Sequence, residues 1–353
     1  MSLPPTSVPA NFSQNMTNGS SCQRSTEQWV YTVMVVYVLV IAVLGIVFNL
    51  FVLLVFCLHK KPCTVAEIYL SNLAAADLIL LSFLPFWAVS IYKGLYWPFG
   101  DAMCKLVNLS IHMNIYSSIY FLVLVSIDRF MALVQPLSHE RLRRPKYAKL
   151  GCLLVWCWGL ILCAPTLVYR EVSLFNYNNS LKNVCALNYP NMKVTLLCEG
   201  ILPVFGFIIP IPIISYCTWK IVGALNQRFT ELSSSQKMEH KATTLIMVVL
   251  LTFLICWVPF HIVKMIELLV RAKVFTGCAL EDVVVMCRQI FTYLAFFNSV
   301  LNPILYVIVG KTFRKKVREV FHPSAERKTL TTSSFNSTRT FPLKSFRSES
   351  GRR

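Results

Sequence analysis

The chain has 353 residues, of which 56% are apolar and 14% charged, and its formal net charge is +18. An ordinary soluble domain has roughly 45–50% apolar and 25% charged residues, so this composition excludes a cytosolic globular enzyme. The 13 cysteines are also too few for a small secreted scaffold built on disulfides, in which cysteine exceeds roughly 8–10%.

The first 28 residues form a polar arm rich in Ser, Asn and Pro. This arm has no apolar stretch of the kind that a cleaved signal peptide needs, so we expect the first hydrophobic span to insert as its own anchor. N-x-S/T glycosylation motifs cluster in the arm, and a further one lies in a later loop. The candidate glycan sites are Asn11, Asn15, Asn18 and Asn178.

Seven long apolar runs follow the arm, and each contains at least 20 residues. That is about the length an α-helix needs to cross ~30 Å of hydrocarbon with every backbone group bonded internally. Asp77 alone interrupts the second run. The runs predict membrane helices at 28–58, 68–92, 106–127, 150–169, 200–219, 242–263 and 289–310.

Two segments of different character follow the seventh run. Residues 311–322 predict a short basic helix whose Phe and Val stripe favours a position flat on a membrane surface. Residues 323–353 hold twelve Ser or Thr and few aliphatic residues, which is typical of a disordered tail with phosphorylation sites. The prediction is an all-α membrane protein with an arm (1–28), a seven-helix bundle (29–310), an amphipathic eighth helix (311–322) and a tail (323–353).

The positive charge is concentrated on one side of the predicted bundle. Residues 59–61, 139–149 and 220–241, the tail and Arg129 hold 24 of the 34 Lys and Arg residues. Because Lys and Arg are enriched in cytosolic loops, we expect a multi-pass plasma-membrane protein with its N-terminus outside and its C-terminus inside the cell. Anionic membrane lipid, and not nucleic acid, is then the expected partner of this charge.

Several polar side chains lie at predicted membrane depth. Asp77 is the ionisable one, and a charge in hydrocarbon is costly enough that it should face a polar interior. A carboxylate among neutral oxygens suits a hard cation such as Na⁺, or a proton. A hydrogen-bond network between helices explains the same residues equally well. The neutral candidates at helical spacing are Asn114, Ser118, Asn298, Asn302 and, beside them, Ser299.

Two further features concern movement of the bundle. Asp128 and Arg129 stand at the predicted cytosolic end of the third span, and Glu239 precedes the sixth. An Arg129–Glu239 ion pair can latch these helix ends together, although a charged doublet at a membrane boundary is more often a snorkelling anchor. Pro259 and Pro303 lie inside the last two spans, where a proline can kink a helix and serve as a hinge. Proline is common in membrane helices, so neither is specific evidence.

Together these residues resemble the rhodopsin-like, or class A, G-protein-coupled receptors over about residues 28–322. Within that family, several segments are similar to bradykinin receptors, and more so to the type 2 subtype, which prefers the intact kinin, than to the subtype for the trimmed peptide. These segments are 63–80, 84–87, 113–118, 122–129 and 307–316. The family motifs, in order, are Asn49, Asn72-Leu-Ala-Ala-Ala-Asp77, Cys104, Asp128-Arg129-Phe130, Trp156, Pro210, Cys256-Trp-Val-Pro259 and Asn302-Pro-Ile-Leu-Tyr306.

The resemblance implies roles that residue chemistry leaves open. Four cysteines on the predicted outer side allow three pairings, and the family pattern pairs Cys104 with Cys185, which leaves Cys22 for Cys278. It implies a sodium site formed by Asp77, Asn114, Ser118, Asn298 and Asn302. It implies a switch at Trp257 under the ligand, and G-protein coupling or switching through Asp128, Arg129, Leu137, Glu239, Pro259, Pro303 and Tyr306.

The function implied by the resemblance is reception of a short kinin peptide with arginine at both ends. Signalling would pass to a heterotrimeric G protein of the Gq class, with phospholipase C and calcium downstream. Receptor kinases and arrestin would act on the Ser/Thr-rich tail. No enzymatic activity and no cofactor other than allosteric Na⁺ is expected.

Residues on the predicted outer side are compatible with such a ligand. Arg170 can take the peptide's C-terminal carboxylate, and His112 stands where the intact-kinin subtype carries serine and the other subtype lysine. Four carboxylates can receive a guanidinium, or else are solvated rim charges: Glu199, Glu267, Glu281 and Asp282. The expected pocket walls are Trp87, Ile111, Tyr116, Trp257, Phe260, Gln289 and Tyr293.

Other classes of membrane protein are the alternatives. A transporter typically shows internal repeats and helices broken near the midplane, and no repeat is visible here. A membrane hydrolase needs a catalytic constellation, but His112 and His261 lack a nearby carboxylate pair or a metal-ligand spacing such as H-E-x-x-H. Among receptors, the alternative is another peptide receptor, angiotensin-like or chemokine-like.

Overall fold

The computed structural model describes residues 28–60, 62–135, 144–177, 180–227, 234–308 and 310–321. A π-helical turn, Val204–Ile208, joins the helix Met192–Pro203 to the helix Pro210–Gln227, so that these two helices form one long segment. The elements of the described chain are α1 (Gln28–Leu58), α2 (Val65–Tyr92), α3 (Gly100–Leu133), α4 (Pro145–Leu162), α5 (Ala164–Tyr169), β1 (Arg170–Tyr177), β2 (Ser180–Leu187), α6 (Met192–Pro203), α7 (Pro210–Gln227), α8 (Ser234–Arg271), α9 (Cys278–Ile308) and α10 (Lys311–Phe321).

Six helical segments in the described part of the chain are long and apolar enough to cross a membrane: α1, α2, α3, α6–α7, α8 and α9. α4 occupies the place of the predicted fourth span but ends at Leu162 after 18 residues. The uncharged run continues to 169, yet Cys163 separates α4 from α5, which has a proline in its first turn. Because Pro165 has no N–H and its ring crowds the preceding turn, the helix does not pass through unbroken.

Several helices extend beyond the uncharged runs that predict them. α8 covers residues 234–271, whereas the run covers 242–263, and α9 begins at Cys278 rather than at 289. The extra turns carry charged side chains such as Lys264 and Arg288. The charged residues mark the ends of the apolar runs but not the ends of the helices. In the extra turns the charged side chains form ion pairs, so the helices continue past them.

The antiparallel hairpin β1–β2 lies at one end of the bundle, which we call the hairpin end; the opposite end is the α10 end. Val172 of β1 pairs with Cys185 of β2. Cys185 is also disulfide-bonded to Cys104 in α3, with Cα atoms 5.6 Å apart. The predicted Cys104–Cys185 pair is confirmed. Cys22 and the side chain of Cys278 lie outside the described residues.

Buried and partly buried polar side chains form hydrogen bonds between the helices at membrane depth. The Asn49 amide in α1 donates to the Ser299 carbonyl oxygen in α9 at 2.8 Å. The Trp156 indole N–H in α4 donates to Asn72 Oδ1 in α2 at 3.0 Å. Hydrogen bonds of this kind stabilise contacts between membrane helices, where apolar side chains gain nothing by leaving lipid.

Candidate functional site

A cavity of about 1370 Å³, including its open mouth, lies at the hairpin end between the helices. The hairpin contributes Val184 and Leu187 to its wall, and the helices contribute aromatic rings and polar groups. Such mixed walls are typical of ligand pockets between helices. The predicted ligand residues that line this cavity are Trp87, Ile111, His112, Tyr116, Arg170, Glu199, Phe260 and Gln289.

Five predicted ligand residues are not part of the cavity wall: Trp257, Glu267, Glu281, Asp282 and Tyr293. Trp257 is buried beside Phe260, with ring centroids 5.7 Å apart. Tyr293 packs against Trp87 at 6.0 Å. Glu281 is exposed in the first turn of α9. Trp257 and Tyr293 lie in the helices that the apolar runs predict, whereas Glu267, Glu281 and Asp282 lie in turns of α8 and α9 that extend beyond those runs.

Among the cavity residues that the sequence did not single out, two are charged, Lys264 and Arg288. Each lies directly outside an uncharged run, on the predicted outer side of the membrane. The spacing of Lys264 and Glu267, three residues apart on one helix face, was the available signal. Their presence makes the wall more basic than the predicted carboxylates suggested.

A buried charge cluster joins α6, α8 and α9 at the hairpin end. The Lys264 ammonium forms an ion pair with Glu199 and lies 3.3 Å from Glu267 Oε2. Arg271 Nη2 lies 2.8 Å from Glu267 Oε1, and Arg288 Nη1 lies 3.9 Å from the same oxygen. The side chains of Glu199 and Lys264 are only 3% and 7% exposed. Both predicted carboxylates in this cluster are therefore already neutralised by basic residues of the chain.

Arg170 is the buried cation of the hairpin side of the cavity. Its Nε has no hydrogen-bond partner among the described residues. Burial lowers the pKa of its guanidinium to about 10, while the Glu199 charge opposes this shift. The group therefore stays charged at neutral pH and offers an unused donor, which fits a carboxylate.

His112 lines the same cavity wall as Arg170 and is half-buried. Its Nδ1 is 2.8 Å from the Asn108 carbonyl oxygen. Because a carbonyl can only accept, Nδ1 carries the proton and donates, and Nε2 is left as the acceptor in the neutral ring.

A second polar cluster surrounds Asp77, which is fully buried. Its carboxylate accepts hydrogen bonds from Asn114 at 2.8 Å, Ser299 at 2.7 Å and Asn302 at 3.1 Å. Ser299 belongs to this cluster although the predicted sodium set omitted it. Three further oxygens are buried without a hydrogen-bond partner among the described residues: Ser118 Oγ, Asn298 Oδ1 and Asn302 Oδ1. Such uncommitted oxygens around a carboxylate fit a hard cation or water.

At the α10 end, Arg129 Nε donates to Asp128 Oδ2 at 2.9 Å, and both side chains are buried. Pro259 and Pro303 lie inside α8 and α9, which continue past them. Tyr306 is buried, with its ring 6.3 Å from that of Phe313 in α10. The Glu239 side chain, Leu137 and the glycan candidates Asn11, Asn15, Asn18 and Asn178 lie outside the described residues.

Comparison with known proteins places the chain. Residues 48–306 match the family of seven-transmembrane receptors named after rhodopsin. The B2 bradykinin receptor of Homo sapiens is 43% identical over 313 residues, which are 86% of this chain and 79% of that receptor. The B2 receptor of Sus scrofa is 45% identical over 307 residues, 86% and 83% of the two chains. The B1 receptor of Tupaia minor is 37% identical over 326 residues, 91% and 92% of the two chains.

These relatives match 86–91% of the chain, and the identity is higher to the B2 than to the B1 receptors. The matched family has seven transmembrane helices. Length and composition identify six of them in the described part of the chain, and α4 stands at the place of the seventh. The chain is a multi-pass membrane receptor and not an enzyme, and it belongs to the rhodopsin family of seven-transmembrane receptors, within the bradykinin receptors.

Proposed function

We propose that the chain is a plasma-membrane receptor for a short kinin-like peptide, and that it signals through a heterotrimeric G protein of the Gq class. The observation that carries the proposal is the buried Arg170 guanidinium, which faces the hairpin-end cavity with an unused donor. The peptide's C-terminal carboxylate is the group that this donor suits. The aromatic walls suit the apolar part of a peptide.

The topology that this function needs follows from the distribution of positive charge. The hairpin end and the glycosylated arm face outward, and α10 with the tail faces the cytosol. Segment 311–322 lies on anionic lipid of the inner leaflet. The Ser/Thr-rich tail is the substrate of receptor kinases and then binds arrestin. Cys22 pairs with Cys278 and ties the arm to the bundle.

Peptide binding biases a two-state bundle in which α8 swings outward at the α10 end and opens a cavity for the G protein. In the inactive state Arg129 is held by Asp128 and by Glu239, and activation releases the second contact. Loss of that contact in Glu239→Ala should raise basal signalling. Unchanged basal signalling at equal surface expression would remove the latch from this mechanism.

The cluster around Asp77 is the proposed site of an allosteric sodium ion. Asp77, Asn114, Asn302 and the nearby Ser118 and Asn298 would hold the ion, with Ser299 as a further oxygen. The uncommitted oxygens support this proposal, because a closed hydrogen-bond network would use them. A bound ion would neutralise the Asp77 carboxylate at membrane depth.

The subtype follows the stronger similarity to B2 receptors, so the intact kinin is the proposed agonist. The test is calcium release in cells that express the chain, challenged with intact bradykinin and with the form that lacks its C-terminal arginine. A response to the intact peptide at a much lower dose supports both family and subtype. Preference for the trimmed peptide would reassign the subtype. No response to either, with the receptor at the surface, would mean that the ligand is wrong.

A further inference from the structure

Glu199 is the only acidic side chain in the described part of the cavity wall, and it is already occupied. Three basic side chains share that wall: Arg170, Lys264 and Arg288. The Lys264 ammonium is paired with Glu199, and both side chains are almost completely buried. A cationic group of a ligand can therefore reach Glu199 only by displacing Lys264.

Lys264 has a second carboxylate within reach. Glu267 lies three residues further along α8, and its Oε2 is 3.3 Å from the Lys264 ammonium. A lysine ammonium sits on a flexible four-carbon stem, so it can leave Glu199 and remain neutralised by Glu267. Glu267 can bind Lys264 and Arg271 together, because Arg271 contacts Oε1 and Lys264 contacts Oε2.

We propose that Lys264 is a tethered counter-cation, which occupies Glu199 in the ligand-free receptor and is displaced to Glu267 by a cationic group of the ligand. The proposal rests on the proposed function for the class of ligand, a peptide with a cationic end. Without Lys264 the buried Glu199 carboxylate would lose its direct ion-pair partner, and losing one partner of a buried pair is strongly unfavourable. Lys264 thus keeps the Glu199 carboxylate ionised in the ligand-free receptor. A ligand cation binds there only if it binds Glu199 more strongly than Lys264 does.

The displacement makes the subsite selective for arginine. A guanidinium forms two parallel hydrogen bonds with a carboxylate, whereas an ammonium is a point charge. An ammonium on the ligand offers Glu199 nothing that Lys264 does not already provide. Arginine should therefore displace Lys264, and lysine at the same position of the peptide should not.

The displacement also changes a contact between helices. Glu199 is in α6, whereas Lys264 and Glu267 are both in α8. When Lys264 moves to Glu267, its ion pair with Glu199, which links α8 to α6, is lost, and Glu199 binds the ligand instead. Binding at this subsite is thereby linked to the position of α8.

The first test is competition binding on the full-length receptor with three bradykinin peptides whose N-terminal residue is arginine, lysine or citrulline, the neutral isostere of arginine. In Lys264→Met we expect the arginine peptide to bind about tenfold more tightly, and the citrulline peptide to be unchanged. Lys193→Met is the matched control, because Lys193 is exposed on α6 and lies outside the cluster. Equal effects on the arginine and citrulline peptides, or no effect beyond the control, would overturn the proposal.

A second variant decides the matter if Lys264→Met does not reach the surface. Lys264→Arg keeps the charge and can bind Glu199 through two hydrogen bonds, so it should compete harder than lysine. We expect it to weaken binding of the arginine peptide severalfold and to leave the citrulline peptide unchanged. Unchanged or tighter binding of the arginine peptide to Lys264→Arg would contradict the proposal.

A third measurement needs no peptide. Agmatine, a small guanidinium compound, at millimolar concentration should raise the melting temperature of purified Lys264→Met and not that of Lys264→Met/Glu199→Gln. If agmatine acts in this way while none of the bradykinin peptides binds, the proposed function is wrong and the counter-cation stands. If agmatine stabilises both variants equally or neither, the counter-cation proposal is wrong.

Discussion

The Lys316 ammonium lies 2.9 Å from Glu67 Oε2, which joins α10 to the first turn of α2 across 249 residues of sequence. Glu67 also closes the capping box of α2, because its carboxylate accepts the Thr64 backbone N–H at 2.7 Å. Both partners of this ion pair are buried, with side chains 10% exposed. A second contact of α10 joins Glu319 to His59, which follows the end of α1, at 2.7 Å. α10 is therefore held to the bundle by charge as well as by apolar packing.

Removing one partner of the Lys316–Glu67 pair should destabilise the receptor more than removing both. Lys316→Met leaves Glu67 buried and unpaired, which costs about 3 kcal/mol, whereas Lys316→Met/Glu67→Gln leaves no unpaired charge. Melting temperatures in detergent measure the difference. Lys315→Met is the control, since Lys315 is exposed and its pair with Glu319 contributes little. A double variant no more stable than Lys316→Met would show that the ion pair does not hold α10.

Sodium should lower agonist affinity, and Asp77→Asn should abolish that effect. The carboxylate is the only formal charge among the proposed ligands, so a neutral amide removes the attraction for the ion. Agonist competition curves in NaCl and in choline chloride of equal ionic strength measure the response. Asp101→Asn, which removes a half-exposed carboxylate at the hairpin end, should keep the sodium response. A response that persists in Asp77→Asn would place the ion elsewhere.

Arg170 should be required for a peptide with a free C-terminal carboxylate and not for its amide. Arg170→Gln removes a buried, charge-assisted hydrogen bond worth about 1.5–3 kcal/mol, which corresponds to roughly 10–100-fold in affinity. Arg170→Lys should restore part of it. Because burial lowers the pKa of Arg170 to about 10, affinity for the free acid should fall only as the pH rises through that value. Equal losses for acid and amide would show a structural role instead.

Gly45 allows α1 to pack closely on α2, and Gly45→Ala should destabilise the bundle. A Cβ at this position would lie 2.5 Å from Leu81 Cδ1, and Leu81 is fully buried, so its side chain must shift within a packed core. Overpacking of this kind costs about 1–3 kcal/mol. Thermal unfolding measures the loss, and Leu81→Val should relieve part of it. Gly223→Ala is the control, because no atom lies within 4 Å of its added Cβ. If the melting temperature of Gly45→Ala were no lower than that of Gly223→Ala, the clash would be excluded.

The class of protein was readable from the sequence because hydrocarbon imposes a local rule. A spanning helix must be long, apolar and internally hydrogen-bonded, so uncharged runs mark spans without knowledge of their neighbours. The motifs and the Cys104–Cys185 pair came from the resemblance to a family, and the structure confirms that pair. The polar residues Asp77, Asn114 and Asn302 were correctly expected to meet, because a charge at membrane depth needs partners from other helices.

The charge pairing at the hairpin end was not readable in the same way. Glu199 was expected to be open to a ligand, yet Lys264, 65 residues away, covers it. The rotation of α6 relative to α8 brings these side chains together, and rotation depends on how every helix packs against its neighbours. Hydropathy specifies that a segment crosses the membrane; the packed bundle specifies which of its side chains meet, and so which carboxylates a ligand can reach.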